Sequence, residues 1–143
     1  MIIFLDIDGV MVPARYQKMD AISGDGFANF SEEAIEALNS LIKEDTQVIL
    51  TTAHKSNYSI EEWKGIFKRR GIEINNLNRL DYNTEMLNRC DEVLKWFDSN
   101  GIPEDFIIID DDKSLNALPA FLKKKLILVS PLIGLRMVYI NRI

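Results

Sequence analysis

Phe4-Leu5-Asp6-Ile7-Asp8-Gly9-Val10 closes the first apolar run of the chain on two acids and a glycine. The run from Ile2 to Ile7 is short and its Ile-Ile-Phe-Leu opening is continuously apolar, which is the pattern of a strand buried on both faces of a parallel sheet. Val48-Ile49-Leu50, Phe106-Ile107-Ile108-Ile109 and Leu126-Ile127-Leu128-Val129 share that character, and Ile72-Glu73-Ile74 is a weaker fifth candidate. Helical patterns lie between them. Ser31 is a candidate N-cap, with Glu32 and Glu33 in the first turn and Ile35, Leu38, Leu41 and Ile42 on one apolar face. Ser59-Ile60-Glu61-Glu62 reads as a capping box leading into Trp63, Ile66 and Phe67, with Gly71 suited to the C′ position. Met86, Leu87, Cys90, Val93, Leu94 and Phe97 mark a third helix, stopped by Asn100-Gly101-Ile102-Pro103. A fourth, over residues 114–125, is interrupted near Pro119.

Strand and helix therefore alternate, which predicts an α/β three-layer sandwich around a mostly parallel, five-stranded Rossmann-like sheet. Right-handed crossovers put the first strand in the centre with a switch point beside it. Residues 10–30 break the pattern, with Pro13, Gly24 and Gly26 but no clear period. A segment of that length without regular structure is usually functional or mobile, so it reads as a flap. The whole chain, 1–143, is expected to form a single domain.

Composition supports a soluble globular chain. A hydrophobic fraction of 47% and a charged fraction of 27% are near globular averages. Cys90 is the single cysteine, so no internal disulfide can form. No apolar run reaches the ~18–20 residues needed to span a bilayer, and no basic region precedes the first apolar run. A cytoplasmic location without membrane contact is the expectation. Seventeen basic against twenty-two acidic residues give a net charge of −5, which argues against non-specific polyanion binding. Lys68-Arg69-Arg70 and Lys123-Lys124-Lys125 read first as solvated helix ends, and only second as a local basic patch.

The chemistry gathers where ligands bind in open α/β sheets, beyond the carboxyl ends of the strands. The first strand ends in Asp6-Ile7-Asp8-Gly9, the second in Thr51-Thr52 and the fourth in Asp110-Asp111-Asp112. An acid after one strand is commonly a turn former. Acids converging from several strand ends repel unless a cation offsets them, and hard oxygen donors of this kind suit Mg²⁺.

These stretches resemble the motifs of the haloacid dehalogenase-like (HAD) superfamily. Phe4-Leu5-Asp6-Ile7-Asp8-Gly9-Val10 resembles the first motif, Val48-Ile49-Leu50-Thr51-Thr52 the second, and Ile107-Ile108-Ile109-Asp110-Asp111 the fourth. The likeness runs to about residue 130. The third motif departs from the pattern. Where the family carries a Lys at the start of the helix before the fourth strand, Arg89 is the best match, with Lys95 and Lys113 as substitutes. An Arg–Glu85 surface pair is the plain alternative for Arg89.

The resemblance implies the roles. Asp6 would be the nucleophile, and Asp8 the general acid and then the base. Thr52, or Thr51 if the strand end shifts by one, would bind a phosphoryl oxygen. Arg89 would neutralise the transferring group. Asp110 would ligate Mg²⁺ directly, with Asp111 close by or acting through water, and Asp6 and the Asp8 carbonyl would complete the protein ligands. Gly9 fits a sharp turn whose amides can face phosphate. The implied activity is phosphomonoester hydrolysis through an aspartyl-phosphate.

Only about twenty residues separate the first strand from its helix, too few for the family's separate cap domain. Capless relatives act on large substrates, which implies a phosphoprotein or a nucleic-acid end. The loop Thr52 to Tyr58 faintly resembles carboxy-terminal-domain phosphatases, and the compactness resembles phosphatase-like domains of RNA-repair proteins. In the exposed loops His54, Arg15, Tyr16 and Lys18 are candidate substrate contacts or ordinary surface residues. Trp63 and Trp96 read as core. The competing class is a phosphate-accepting receiver-like or non-catalytic binding module. The receiver fits less well, because Asp-x-Asp-Gly opens this chain and the adjacent acids follow the Thr pair, while a non-catalytic domain of the same fold is motivated only by the missing motif-three Lys.

Overall fold

The computed structural model describes residues 1–16 and 24–142. Lys18 therefore lies outside the described residues. Strands β1 (Ile2–Leu5), β2 (Gln47–Leu50), β3 (Asn76–Arg79), β4 (Phe106–Asp110) and β5 (Leu126–Leu128) form one sheet in the order β3-β2-β1-β4-β5, with every pairing parallel. The intervening helices are α1 (Glu32–Leu41), α2 (Ile60–Arg69), α3 (Arg89–Asn100) and α4 (Ala120–Lys123), and a short α5 (Met137–Ile140) follows the last strand. Order reverses at β1, which pairs with both β2 and β4, so the switch point falls beside the strand that carries Asp6.

Strand alternation sorts the core into two layers. Ile3, Leu5, Val48, Leu50, Ile107 and Ile109 face α1 and α2, whose Ala34, Ala37, Leu38, Trp63, Ile66 and Phe67 complete that layer. Phe4, Ile49 and Ile108 face the other way, against Cys90, Val93 and Phe97 of α3 and Leu115, Leu118 and Leu122 around α4. Trp96 stacks edge-on against Phe4 at 5.0 Å, so both tryptophans serve the core. The helix starts follow local chemistry. The Ser31 Oγ accepts from the Ala34 amide, and Ser59 and Glu62 close a reciprocal capping box. Gly71 takes φ +85° after α2, a conformation that costs a residue with a Cβ. Residues 113–117 form a 3-10 turn, and Pro119 separates it from α4 as the pattern predicts.

Two expectations need correction. The strand next to β2 is Asn76–Arg79, not Ile72-Glu73-Ile74. Ile72 and Ile74 are buried, yet they lie in the connection after α2. As an edge strand pairing on one side only, β3 needs a single inward apolar residue, Leu77. Helix α3 starts at Arg89, so Met86 is not on its apolar face. Asn88 caps it by accepting from the Asp91 amide, and Met86 stands 90% exposed at φ 54°.

The described ends of the segment 10–30 are tied down. The Arg70 guanidinium grips Asp25 with two bonds of 2.8 Å and also donates to the Phe27, Ala28 and Ile66 carbonyls. Its side chain is almost wholly buried, against the reading of Lys68-Arg69-Arg70 as solvated. After β5, Leu135 is buried and its amide donates to the Val10 carbonyl, while Met137, Tyr139 and Ile140 pack on the α1 side. No separate cap stands among the described residues, and no helix among them is long and apolar enough to cross a membrane.

Candidate active site

Asp6 continues β1 by one residue, its amide donating to the Ile109 carbonyl, and Thr51 continues β2 through a bond from its amide to the Leu5 carbonyl. Because Leu5 is in register with Leu50 and Ile109, the next residues Asp6, Thr51 and Asp110 form a row across three strand ends. Alternation turns that row to the α3 side. All three are buried. Arg89, the first residue of α3, lies over them. Its Nη1 donates to Asp110 Oδ2 at 2.6 Å and to Thr51 Oγ1 at 3.4 Å, and stands 3.6 Å from Asp6 Oδ1. A cation at a helix N-terminus opposes the macrodipole, and Asp91 and Glu92 in the first turn offset that cost.

The third-motif alternatives lie elsewhere. Lys95 pairs with Glu85 at 2.6 Å, both largely exposed, and Lys113 is exposed on its 3-10 turn. Glu85 thus has its own partner, and Arg89 is the cation beside the acids. Of the two threonines, Thr51 faces them and donates to Asp110 Oδ2 at 3.1 Å. Thr52 is buried but accepts from the His54 amide, turning the chain into the next loop.

Asp110 has both oxygens committed. Oδ2 takes Arg89 and Thr51, and Oδ1 accepts from the amides of Asp111 and Asp112 at 2.8 and 3.1 Å. The Asp111 carboxylate instead leans over Gly9. A Cβ there would collide with it, and φ +81° already favours glycine. Gly9 donates its own amide to the Val12 carbonyl at 2.9 Å, so its contribution is space rather than a phosphate-facing N–H. The turn is held by the Ile7 carbonyl, which accepts from the amides of Val10, Met11 and Val12.

One oxygen each from Asp6, Asp110 and Asp111 lies within 4.8 Å of the others. Burial, and then the Asp110 charge, push the Asp6 carboxyl well above its ordinary range, with Arg89 only partly opposing them. Burial also raises Asp111, while its hydrogen bond with Asp6 pulls the other way. Burial disfavours the Arg89 charge too, but Asp110 and Asp6 outweigh it and hold that proton more tightly. One guanidinium is too little charge for three converging carboxylates, and the donor set is all hard oxygen. Those features fit a hard divalent cation such as Mg²⁺.

Asp8 points to the solvent side, half-exposed, with His54 Nε2 at 3.0 Å from its Oδ2. Lys55 escaped the sequence reading. It is buried and pairs with Glu92 at 3.0 Å, next to Arg89, while its carbonyl accepts from Trp63 Nε1 and an Arg79 Nη. Only its place three residues after Thr52 could have flagged it. Arg15 pairs with Glu33 on α1, and Tyr16 packs against the core, so neither is seen at the acids.

An Asp-x-Asp-Gly turn beside paired acids, at the switch point of this sheet order, defines a HAD-like domain of the phosphatase-type hydrolases. A family profile described as the HAD domain in Swiss Army Knife RNA repair proteins matches residues 2–139, and the chain belongs to that family. No curated protein and no solved structure matches it.

Proposed function

We propose that this chain is a Mg²⁺-dependent phosphatase that removes a terminal phosphate from a nucleic acid through an aspartyl-phosphate on Asp6. The observation that carries the reading is the meeting of Asp6, Asp110 and Asp111 within 4.8 Å under Arg89. Nucleic-acid ends are preferred over phosphoproteins because the family is that of RNA repair proteins. An uncapped site with a short flap over 10–30, in a single domain, suits an end presented by a large substrate.

Asp6, the Asp8 carbonyl and Asp111 would hold the ion. Asp110, with both oxygens on protein donors, is the weaker direct ligand and better placed to anchor Arg89, the reverse of the order expected from the motif. When bound, Mg²⁺ supplies the counter-charge that lets buried Asp6 ionise and an anionic ester approach. The Asp6 carboxylate then attacks phosphorus and the ester P–O bond breaks. Asp8 gives its proton to the leaving oxygen. In the second half Asp8 takes a proton from water, the water oxygen attacks phosphorus, and the bond to Asp6 breaks to release inorganic phosphate. Thr51 and Arg89 hold phosphoryl oxygens as charge builds on them.

The test is release of phosphate from 3′- and 5′-phosphorylated RNA and DNA oligonucleotides, with a phosphopeptide for comparison. Turnover of an oligonucleotide that EDTA abolishes and Mg²⁺ restores is expected. Activity indifferent to chelation would contradict the metal site. Preference for the phosphopeptide would overturn the substrate class. Binding of the phosphorylated end without turnover would support a non-catalytic module.

A further inference from the structure

We infer that His54 is a positioning residue that aims the Asp8 carboxylate, an inference that rests on the phosphatase reading of Asp8. His54 is the single histidine. Its two ring nitrogens are both engaged. Nδ1 lies 3.3 Å from Asn57 Nδ2, an amide nitrogen that can only donate, so Nδ1 is the accepting nitrogen of the ring. A neutral imidazole that accepts at Nδ1 carries its proton on Nε2, and Nε2 lies 3.0 Å from Asp8 Oδ2. Asn57 thus selects the tautomer that puts the ring proton on the nitrogen lying within ion-pair distance of one Asp8 oxygen. The other Asp8 oxygen stays free for the leaving group and then for water. With both nitrogens committed, the ring has no donor to spare for a substrate phosphate.

The loop is built to hold that ring still. The His54 amide donates to Thr52 Oγ1 at 3.3 Å, the Lys55 amide to the Thr52 carbonyl at 3.1 Å, and the Asn57 amide to the His54 carbonyl at 2.9 Å. The Lys55 carbonyl is clasped by Trp63 Nε1 at 2.9 Å, and its ammonium is fixed to Glu92. The sequence spacing serves the same end, since Thr52, His54 and Asn57 fall within two consecutive turns. Asp8 needs such a guide. Its side chain is half-exposed, and His54 is the side chain seen beside it among the described residues. Misplacing a catalytic group by about 1 Å can cost on the order of a hundredfold in rate.

Two measurements on the full chain test this. Because there is one histidine, a long-range ¹H–¹⁵N spectrum of labelled protein at a pH where the ring is neutral reads His54 alone. The Nε2–H tautomer is expected in the wild type, with the Nδ1–H share rising severalfold in Asp8→Ala and in Asn57→Ala. A wild-type Nδ1–H ring, or ring shifts unmoved by Asp8→Ala, would overturn the contact. In kinetics, His54→Ala should lower kcat on an alkyl phosphate with little change in KM. That loss should exceed the loss on nitrophenyl phosphate, whose leaving group needs little protonation, by about tenfold. His54→Gln, whose amide nitrogen reaches nearly as far as Nε2, should recover most of it. A raised KM at unchanged kcat would make His54 a substrate contact. Equal losses on both esters that Gln does not recover would make it a loop residue only. Either result overturns the proposal. A wild type inert toward every phosphate ester would count against the phosphatase reading, and the ring spectrum would then decide the contact by itself.

Discussion

Asp6 and Asp8 are two positions apart and live in opposite surroundings, one buried among acids and the other half in water. Their substitutions should therefore fail differently. Asp6→Asn removes the attacking oxygen and should abolish turnover. Asp8→Asn keeps the nucleophile and the backbone carbonyl but has no acid or base, so the aspartyl-phosphate should accumulate with a good leaving group. Rapid-quench mass spectrometry should find the phosphate adduct on Asp6 in Asp8→Asn and no adduct in Asp6→Asn. Arg89 makes a separate prediction. Its Nη1 bonds Asp110, which is fully buried, so Arg89→Ala leaves that charge unpaired. The expected cost is about 3–5 kcal/mol in a urea titration, well beyond that of an exposed pair such as Lys95–Glu85. Arg89→Lys keeps the charge but loses the planar fork, and should retain stability better than activity. At this scale the acids were legible because each ends an apolar run. The choice between Thr51 and Thr52 was not, because a one-residue shift in a strand end reverses which side chain faces the site.

Elements were legible where burial and local chemistry agree. β1, β2 and β4 lie inside the sheet, and their apolar runs admit one reading. β3 was missed because an edge strand has little to bury, and its Asn-Leu-Asn-Arg sequence carries no apolar run. Helical spacing alone places the start of α3 too early, because Leu87 continues that spacing backwards from Arg89. Asn83 exchanges two hydrogen bonds with the Leu87 backbone and holds it in a turn instead. Arg70 shows the same limit from the other side. A basic triplet at a helix end reads as solvated, and nothing local reveals that Asp25, forty-five positions away, bonds to it. Arg70 and Arg69 both reach Asp25, but only Arg70 is buried. Arg70→Ala should therefore destabilise the protein by about 1.5–3 kcal/mol, because it strips bonds from three carbonyls as well as from Asp25 while Arg69 still reaches that carboxylate. Arg69→Ala should cost no more than about 1 kcal/mol, as for other exposed pairs. Equal effects in denaturant titrations would remove Arg70 as the staple that holds Asp25, Phe27 and Ala28.

Across the whole molecule, the doubly wound order concentrates negative charge at one switch point, and a net charge of −5 adds to that field. The folded state then has two opposed dependences on pH. Asp25 is held below the ordinary carboxylate range, foremost by its hydrogen bonds with Arg70. The unfolded chain binds that proton more readily, so this stabilisation is present above about pH 4 and is lost as the pH falls further. Asp6 has the reverse sign. Its folded-state value is raised by burial and by Asp110, so the folded state binds the extra proton. Its contribution is complete below the unfolded value near about pH 4, and it is lost as the pH rises through the raised one. Metal-free protein should thus weaken on both sides of a mildly acidic optimum. Mg²⁺ replaces the proton at Asp6, so it should recover stability on the upper side alone, by about 2.7 kcal/mol at a hundred times its Kd. Thermal melts over a pH series, with EDTA and then with excess Mg²⁺, measure both limbs. In Asp6→Asn the upper-side loss should disappear, and the gain from Mg²⁺ should shrink with it. If that variant kept the wild-type upper limb, the charge that destabilises the metal-free site would lie elsewhere than on Asp6.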